Sequence, residues 1–281
     1  MSQQSLSPFN KVFVVGCGLM GAGISEVIAK AGIEVIAYDL NEAYIERGKK
    51  QIERSLQKGK VENPDEVLSR ITFTTNMNDG HDCDLVIEAV PEKIELKKEV
   101  FKQLDEIIND DAILASNTSS LSIAAISSAT KRPEKVVGLH FFSPVPIMKL
   151  LEIVKGINTS DEVIEKSKQF AKAINKEVIV ANDLPGFTVN RVLVPMMNEA
   201  AFLVLEGNDP EEIDRGMMLG ANHPIGPLKL ADMVGIDVLL FTLESLYEGF
   251  NDSKYRPCPI LKRMVEAGHL GKKSGRGFYE Y

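Results

Sequence analysis

The chain is short of the residues that build disulfide and metal scaffolds. Its three cysteines, Cys17, Cys83 and Cys258, lie far apart and form neither a CxxC pair nor an even framework, which fits a reducing compartment. The four histidines, His81, His140, His223 and His269, are equally scattered, and no metal site is readable from their spacing. Positive charge is also in deficit. The net charge of −8 makes nucleic acid or an anionic membrane surface a poor partner. No apolar run approaches the roughly 20 residues of a membrane span. The stretch ahead of the first strand-like run has no arginine and no apolar core, so no signal or transit peptide is visible and the expected address is the cytosol. Internal repeats and low-complexity tracts are absent too.

What is present is a globular composition, 44% apolar and 26% charged, over 281 residues, a length that accommodates two domains. The first two-thirds alternates short β-branched runs with helical periods. Lys11–Val15, Glu34–Tyr38, Ile71–Thr74, Asp84–Ala89, Ala112–Ala115, Val136–Leu139, Leu150–Val154 and Glu177–Val180 read as strands. Helical patterns fill most gaps, as in Glu92–Ile108 and Asp161–Ile174. This βαβ rhythm predicts a mostly parallel sheet covered on both faces. After "NDLPGF" the strand-like runs stop and long helical patterns take over, with Ala200, Leu203 and Val204 on the expected packed face. The sequence therefore predicts an α/β class: a doubly wound sheet domain over residues 1–185 and an all-α domain over 186–281, with Pro185–Gly186 as the punctuation between them.

Directly after the first strand comes "GCGLMG", Gly16 to Gly21, with a helical pattern continuing to Ala31. A bare GxGxxG is weak evidence, but this one has strand before, helix after and an acid, Asp39, ending the second strand. Gly16 permits the tight turn, Gly18 lets a pyrophosphate approach the backbone, and Gly21 lets the helix pack close to the strand. Leu19 and Met20 begin the helix whose free N–H groups favour an anion. Asp39 is placed to accept from a ribose 2′-hydroxyl and would repel a 2′-phosphate, so NAD is expected over NADP.

The segment "VVGLHFFSPVPIMKLLEIVKG", residues 136–156, carries one imidazole and one acid inside apolar runs. If the two runs pair as a hairpin turning at Ser143–Met148, His140 and Glu152 are equidistant from its centre and share a face. A carboxylate beside an imidazole fixes its tautomer and favours its charged form, as a general base requires. A structural buried pair is the alternative. "SNTSS", Ser116–Ser120, follows a strand and opens the helical run from Leu121. One of Ser119 and Ser120 is expected to cap that helix, while the other hydroxyl faces the ligand crevice at the strand's C-terminal end. Asn190 and Arg191, in "PGFTVNR", open the helical domain. Asn190 is a candidate for reaching the ligand or for a local cap.

Taken in order, GxGxMG, the acid after the second strand, SNTSS, HFF-x-PVP-x-MKL-x-E and PGF-x-x-NR are followed by "HPIGPLKLADMVGID" and the closing "GKKSGRGFYEY". This series resembles the L-3-hydroxyacyl-CoA dehydrogenase family over essentially the whole chain, and within it the short bacterial 3-hydroxybutyryl-CoA forms. The resemblance implies reversible, NAD-dependent oxidation of a short-chain (S)-3-hydroxyacyl-CoA. It implies His140 as base, Glu152 as its orienter, and Ser119 and Asn190 as hydrogen-bonding partners of the reacting oxygen region. It implies Glu92 and Lys97, in "PEKIELK", as cofactor contacts. An ordinary solvated helix start is the alternative for that pair. Where the family usually has Asn in HFFNPVP this chain has Ser143, which puts that cofactor contact in doubt. The gulonate-dehydrogenase branch and a non-catalytic, crystallin-like member are the competing readings.

An acyl-CoA substrate carries phosphates, so basic residues should be reserved for it. "ERGKKQIERSLQKGK", Glu46–Lys60, places Ile45, Ile52 and Leu56 on one helical stripe and leaves Lys50, Arg54, Lys58 and Lys60 for solvent or phosphate. Lys50 and Arg54 are the expected CoA contacts. The resemblance implies subunit pairing through the helical domain, so a homodimer is expected there, with Leu193, Val194, Met196, Met197, Leu239, Leu240 and Phe241 as the apolar supply; the alternative is that these fill the domain's own core.

Overall fold

The structure, a computed structural model, describes residues 7–281. It divides into two compact units, one ending at Asp183 and the other running from Leu184 to Tyr281.

The first unit is built on eight strands: β1 (Lys11–Val15), β2 (Glu34–Tyr38), β3 (Ile71–Thr74), β4 (Leu85–Glu88), β5 (Ile113–Ser116), β6 (Val136–Phe141), β7 (Leu150–Lys155) and β8 (Glu177–Asn182). Their order in the sheet is β3-β2-β1-β4-β5-β6-β7-β8. Every neighbouring pair is parallel except β6 with β7. Six helices, α1 (Leu19–Lys30), α2 (Glu42–Lys58), α3 (Pro64–Ser69), α4 (Ile94–Ile107), α5 (Ile123–Ser127) and α6 (Asp161–Ala173), fill the gaps between strands. Central strands buried on both faces must be apolar throughout, not alternating. Val12, Phe13 and Val14 of β1 and Leu85, Val86 and Ile87 of β4 are accordingly all fully buried. Each such side chain contributes about 1.5–3 kcal/mol of transfer free energy.

The chain order reverses between β1 and β4. In doubly wound sheets the crevice for a ligand opens at such a point, beyond the C-terminal ends of the strands. The Gly16–Gly21 loop, Asp39, Glu88 and Ser116–Ser120 all lie at those ends.

Two helix starts differ from expectation for reasons visible in side chains. α4 begins at Ile94, not Glu92, because the Glu92 carboxylate is turned to the Thr118–Ser120 loop. α5 begins at Ile123, and neither Ser119 nor Ser120 caps it. Ser122 does so, accepting from Ala125 N at 3.2 Å, and Asp183 accepts from Ile123 N at 2.8 Å and Ala124 N at 2.7 Å.

The second unit is helical: α7 (Val189–Leu205), α8 (Pro210–Gly220), α9 (Pro227–Val234), α10 (Ile236–Phe250) and α11 (Pro259–Glu266). Val194, Met197, Leu239, Leu243, Leu246 and Leu261 form its core. Leu203, read as packed, is exposed, as are Phe241 and Val192. Two buried aspartates tie the distant motifs of this unit together. Asp232 of "KLAD" accepts from Phe278 N and Tyr279 N, each at 2.9 Å. Asp214 accepts from Leu228 N at 2.8 Å and from the Tyr279 hydroxyl at 2.8 Å. A Cβ on Gly277 would sit 1.9 Å from Asp232 Oδ1, so glycine is required there. The "HPIGPLKLADMVGID" and "GRGFYEY" stretches are therefore scaffold, each bound to the other. No helix among the described residues is long and apolar enough to cross a membrane.

Candidate active site

The glycine loop is shaped by what each position must avoid. Gly16 has φ +107°, and a Cβ there would lie 2.8 Å from Ala89 O at the end of β4. A Cβ on Gly21 would lie 1.7 Å from Gly16 O, so α1 closes directly onto the loop. A Cβ on Gly18 would meet nothing within 4 Å, which leaves the backbone there open to close approach. Gly18 caps α1 without a side-chain hydrogen bond, and its first turn carries no acid, so this helix start favours an anion. Met20 is half-buried and Leu19 is exposed. Asp39 accepts from Cys17 N and from Leu40 N, both at 2.7 Å. Its carboxylate therefore braces the loop and still has acceptor capacity for a ribose diol. The cradle fits NAD: glycine backbone for pyrophosphate, Asp39 for the adenosine ribose. Burial, with Asp39 adding its negative charge, pushes the Cys17 thiol up to about 12, so it is no nucleophile.

The β6–β7 hairpin pairs His140 directly with Glu152. His140 Nδ1 is 2.8 Å from Glu152 Oε2, with His140 6% exposed and Glu152 fully buried. Phe142 packs against the imidazole at a centroid distance of 4.4 Å. The hairpin is tied to the neighbouring crevice by Asn117, whose Oδ1 accepts from Phe141 N at 2.9 Å. At the hairpin tip the buried Lys176 ammonium donates to Val145 O and Met148 O, each at 2.5 Å. Burial pushes that ammonium's pKa down. Asn117 stands within the SNTSS motif, whose serines drew the reading there, and Lys176 has no sequence signal beyond polarity beside an apolar run.

Beyond β4 and β5 a polar network gathers Glu88, Glu92, Lys97, Ser116 and the Thr118–Ser120 loop. Lys97 is not a solvated helix residue: it is fully buried, its Nζ 2.6 Å from Glu88 Oε1 and 3.4 Å from Glu92 Oε2. Glu92 Oε1 accepts from Thr118 Oγ1 at 2.6 Å, from Ser119 N at 2.8 Å and from Ser119 Oγ at 3.2 Å. Ser120 is buried and its hydroxyl has no partner among the described residues.

A cleft of about 740 Å³ runs between α1, α2 and the hairpin turn. Arg47, Arg54 and Lys58 line it together with Lys30 and Ser143. Arg47, Gln51, Arg54 and Lys58 follow helical spacing and form one stripe. Lys50, expected to be a CoA contact, falls beside that stripe and is not on the cleft wall, whereas Arg54 is. Sequence alone does not single out Arg47 and Lys30, because only folding places the end of α1 against α2. Glu26 shares the cleft wall but is 2% exposed, and burial raises its carboxyl pKa. Ser143 lies exposed in the turn, on this same wall.

In the helical unit, Asn190 occupies the first turn of α7. Its neighbour Arg191 serves the fold: the guanidinium stacks 4.2 Å from the Phe250 ring centroid and Nε lies 3.3 Å from the Tyr255 hydroxyl. Among the described residues, no group of three or more His, Cys, Asp or Glu side chains could hold a metal.

Two family models match successive parts of the chain. The model described as 3-hydroxyacyl-CoA dehydrogenase, NAD binding domain, matches residues 11–184, and that described as 3-hydroxyacyl-CoA dehydrogenase, C-terminal domain, matches residues 186–281. A probable 3-hydroxybutyryl-CoA dehydrogenase of Deinococcus radiodurans is 48% identical, covering 96% of this chain and 100% of the relative. The human mitochondrial hydroxyacyl-coenzyme A dehydrogenase is 41% identical over 96% of this chain and 90% of its own length. The crystal structure of (S)-3-hydroxybutyryl-CoA dehydrogenase from Ralstonia eutropha superposes with a TM-score of 0.91 at 43% identity, covering 97% of this chain and 99% of that one.

Proposed function

The chain belongs to the 3-hydroxyacyl-CoA dehydrogenase family, and on that premise we propose that it interconverts (S)-3-hydroxybutyryl-CoA and acetoacetyl-CoA with NAD(H). The observation that carries the mechanism is the buried His140–Glu152 pair. With Glu152 accepting from Nδ1–H, the basic lone pair is confined to Nε2. His140 then takes the proton of the substrate's 3-hydroxyl, and in the reductive direction returns it to the forming alcohol. Glu152 stabilises the imidazolium formed in between. The low dielectric of its fully buried position makes that stabilisation stronger than water would allow.

Bound NAD would supply the acceptor for the hydride of C3. Gly16, Gly18, Leu19, Met20 and Gly21 supply its phosphate cradle and Asp39 its ribose acceptor, which favours NAD over NADP. Ser119 hydrogen-bonds the reacting oxygen region. Glu92 faces the cofactor side with Lys97 held behind it. The cationic stripe of Arg47, Arg54 and Lys58 receives the CoA phosphates, with Ser143 on the facing turn. The three free, buried cysteines support a reducing cytosol as its setting. The exposed apolar side chains Val192, Leu219, Met233 and Phe241 support a homodimer formed through the helical unit. Sedimentation at micromolar concentration tests this, and a lone monomer there would refute it.

The reaction is tested by following NADH absorbance in parallel assays, its loss with acetoacetyl-CoA or free acetoacetate and its gain with NAD and a sugar acid. Turnover of the CoA thioester alone is expected. Turnover of the sugar acid in preference, or no turnover, would refute the assignment.

A further inference from the structure

We propose that Glu92 is a positioning residue for Ser119, held in that role by the buried Glu88–Lys97 pair. The argument starts from the loop that carries Ser119. In Thr118–Leu121 the chain lies between β5 and α5, and the amides of Ser119, Ser120 and Leu121 go to side-chain oxygens. Ser119 N donates to Glu92 Oε1 at 2.8 Å and Ser120 N to the same oxygen at 3.2 Å. Leu121 N donates to Thr118 Oγ1 at 2.9 Å, and Thr118 Oγ1 itself donates to Glu92 Oε1 at 2.6 Å. The Ser119 hydroxyl also lies 3.2 Å from that oxygen. One carboxylate oxygen thus sets the path of the loop and the direction of the Ser119 side chain. Successive amides converging on an anion make a nest, and here the anion is built into the chain.

Glu92 needs something to hold it in turn, because it sits in an irregular segment ahead of α4. Its other oxygen is 3.4 Å from Lys97 Nζ. Lys97 is fully buried on α4, and its ammonium is anchored by Glu88 Oε1 at 2.6 Å and Val90 O at 3.3 Å. Glu88, at the end of β4, accepts also from Val90 N and from Ser116 Oγ, both at 2.7 Å. Ser116 and Glu88 are register partners in β5 and β4. The network therefore runs from the rigid sheet, through an ammonium, to the Ser119 loop. Charge-assisted bonds of this kind are short and directional, and they locate a hydroxyl more tightly than loop backbone can.

The proposal rests on the reaction proposed above, in which Ser119 touches the substrate, and it predicts coupling between the two residues. The test is a double-mutant cycle of Glu92→Gln and Ser119→Ala, reading kcat at saturating NADH and acetoacetyl-CoA, with NADH Kd taken separately by fluorescence titration. Glu92→Gln keeps the volume and removes the charge that faces Lys97. Alone it should lower kcat by about tenfold or more, in the range of a lost charged hydrogen bond. In the Ser119→Ala background it should lower kcat by less than about twofold, because the hydroxyl it places is gone. Equal losses in both backgrounds, or a loss confined to NADH Kd, would overturn the proposal. Thr118→Val gives a second cycle with Ser119→Ala that leaves the buried charges in place, and the same non-additivity is required of it should Glu92→Gln not fold. Absence of turnover in the unmodified enzyme would instead overturn the reaction itself.

Discussion

His140 and Glu152 stand opposite each other across an antiparallel hairpin, twelve residues apart in the chain and 2.8 Å apart between Nδ1 and Oε2. The pairing register makes this meeting, and the apolar strands around it keep water from weakening it. Glu152→Gln preserves volume but removes the charge that holds the Nδ1–H tautomer and balances the imidazolium. It should lower kcat by roughly 10²-fold or more, with little change in the KM for acetoacetyl-CoA. Steady-state kinetics of the variant check this. A change confined to KM would mean that the pair binds substrate and does not move a proton.

Asp39 performs two tasks with one carboxylate: it braces the Cys17 amide of the glycine loop and closes the end of β2. Asp39→Asn should raise the KM for NADH by about tenfold and narrow the gap between NADH and NADPH, since the repulsion of a 2′-phosphate is relieved. Parallel titration of both cofactors measures it. An unchanged cofactor ratio would remove Asp39 from the selectivity argument.

The basic cleft makes a contrast within a single helix. Arg54→Ala and Lys58→Ala should each raise the KM for acetoacetyl-CoA by about fivefold at low salt, the range of a solvent-exposed ion pair. Lys50→Ala, off the cleft wall, should leave it within about twofold. Added salt should erode the difference. Equal effects at Lys50 and Arg54 would show that general charge is felt and no particular wall is used.

The cysteine in the glycine loop looks reactive by position and is not. With its thiol pushed up to about 12, Cys17 carries about one part in ten thousand thiolate at pH 8. Cys83, also pushed up to about 12 by burial, behaves alike. A thiol reagent should therefore titrate almost nothing in the native protein at pH 8 and all three cysteines after denaturation. The linkage has a sign. These thiols hold their protons in the fold above the pH at which the unfolded chain releases them, so their contribution to stability is complete below about 9 and is lost as pH rises toward 12. Rapid native reaction at pH 8 would contradict the burial.

The βαβ rhythm, the glycine loop and the His140–Glu152 pairing are legible in the sequence because each follows from short-range periodicity: apolar runs, a turn motif, and distance from a proline-rich turn. What escapes is the partner chosen at long range. Ser122, not Ser119 or Ser120, caps α5, and Asp183 completes that cap from some sixty residues away. Lys97, expected as a cofactor contact with a solvated helix start as the alternative, is instead fully buried on Glu88, because Glu88 and Ser116 meet beside it only once β4 and β5 pair. Lys50 and Arg54 look equivalent in a list of basic residues, and only the helical phase against α1 separates them.

The most direct measurement is made on His140→Ala, with acetoacetyl-CoA turnover and NADH binding determined on the same preparation. Removal of the proposed general base should lower kcat by roughly 10²–10⁴-fold, while NADH affinity, assigned in the proposal to the glycine loop and Asp39, should stay within about twofold. Near-normal kcat in this variant would contradict the account, because no proton would then need to pass through His140.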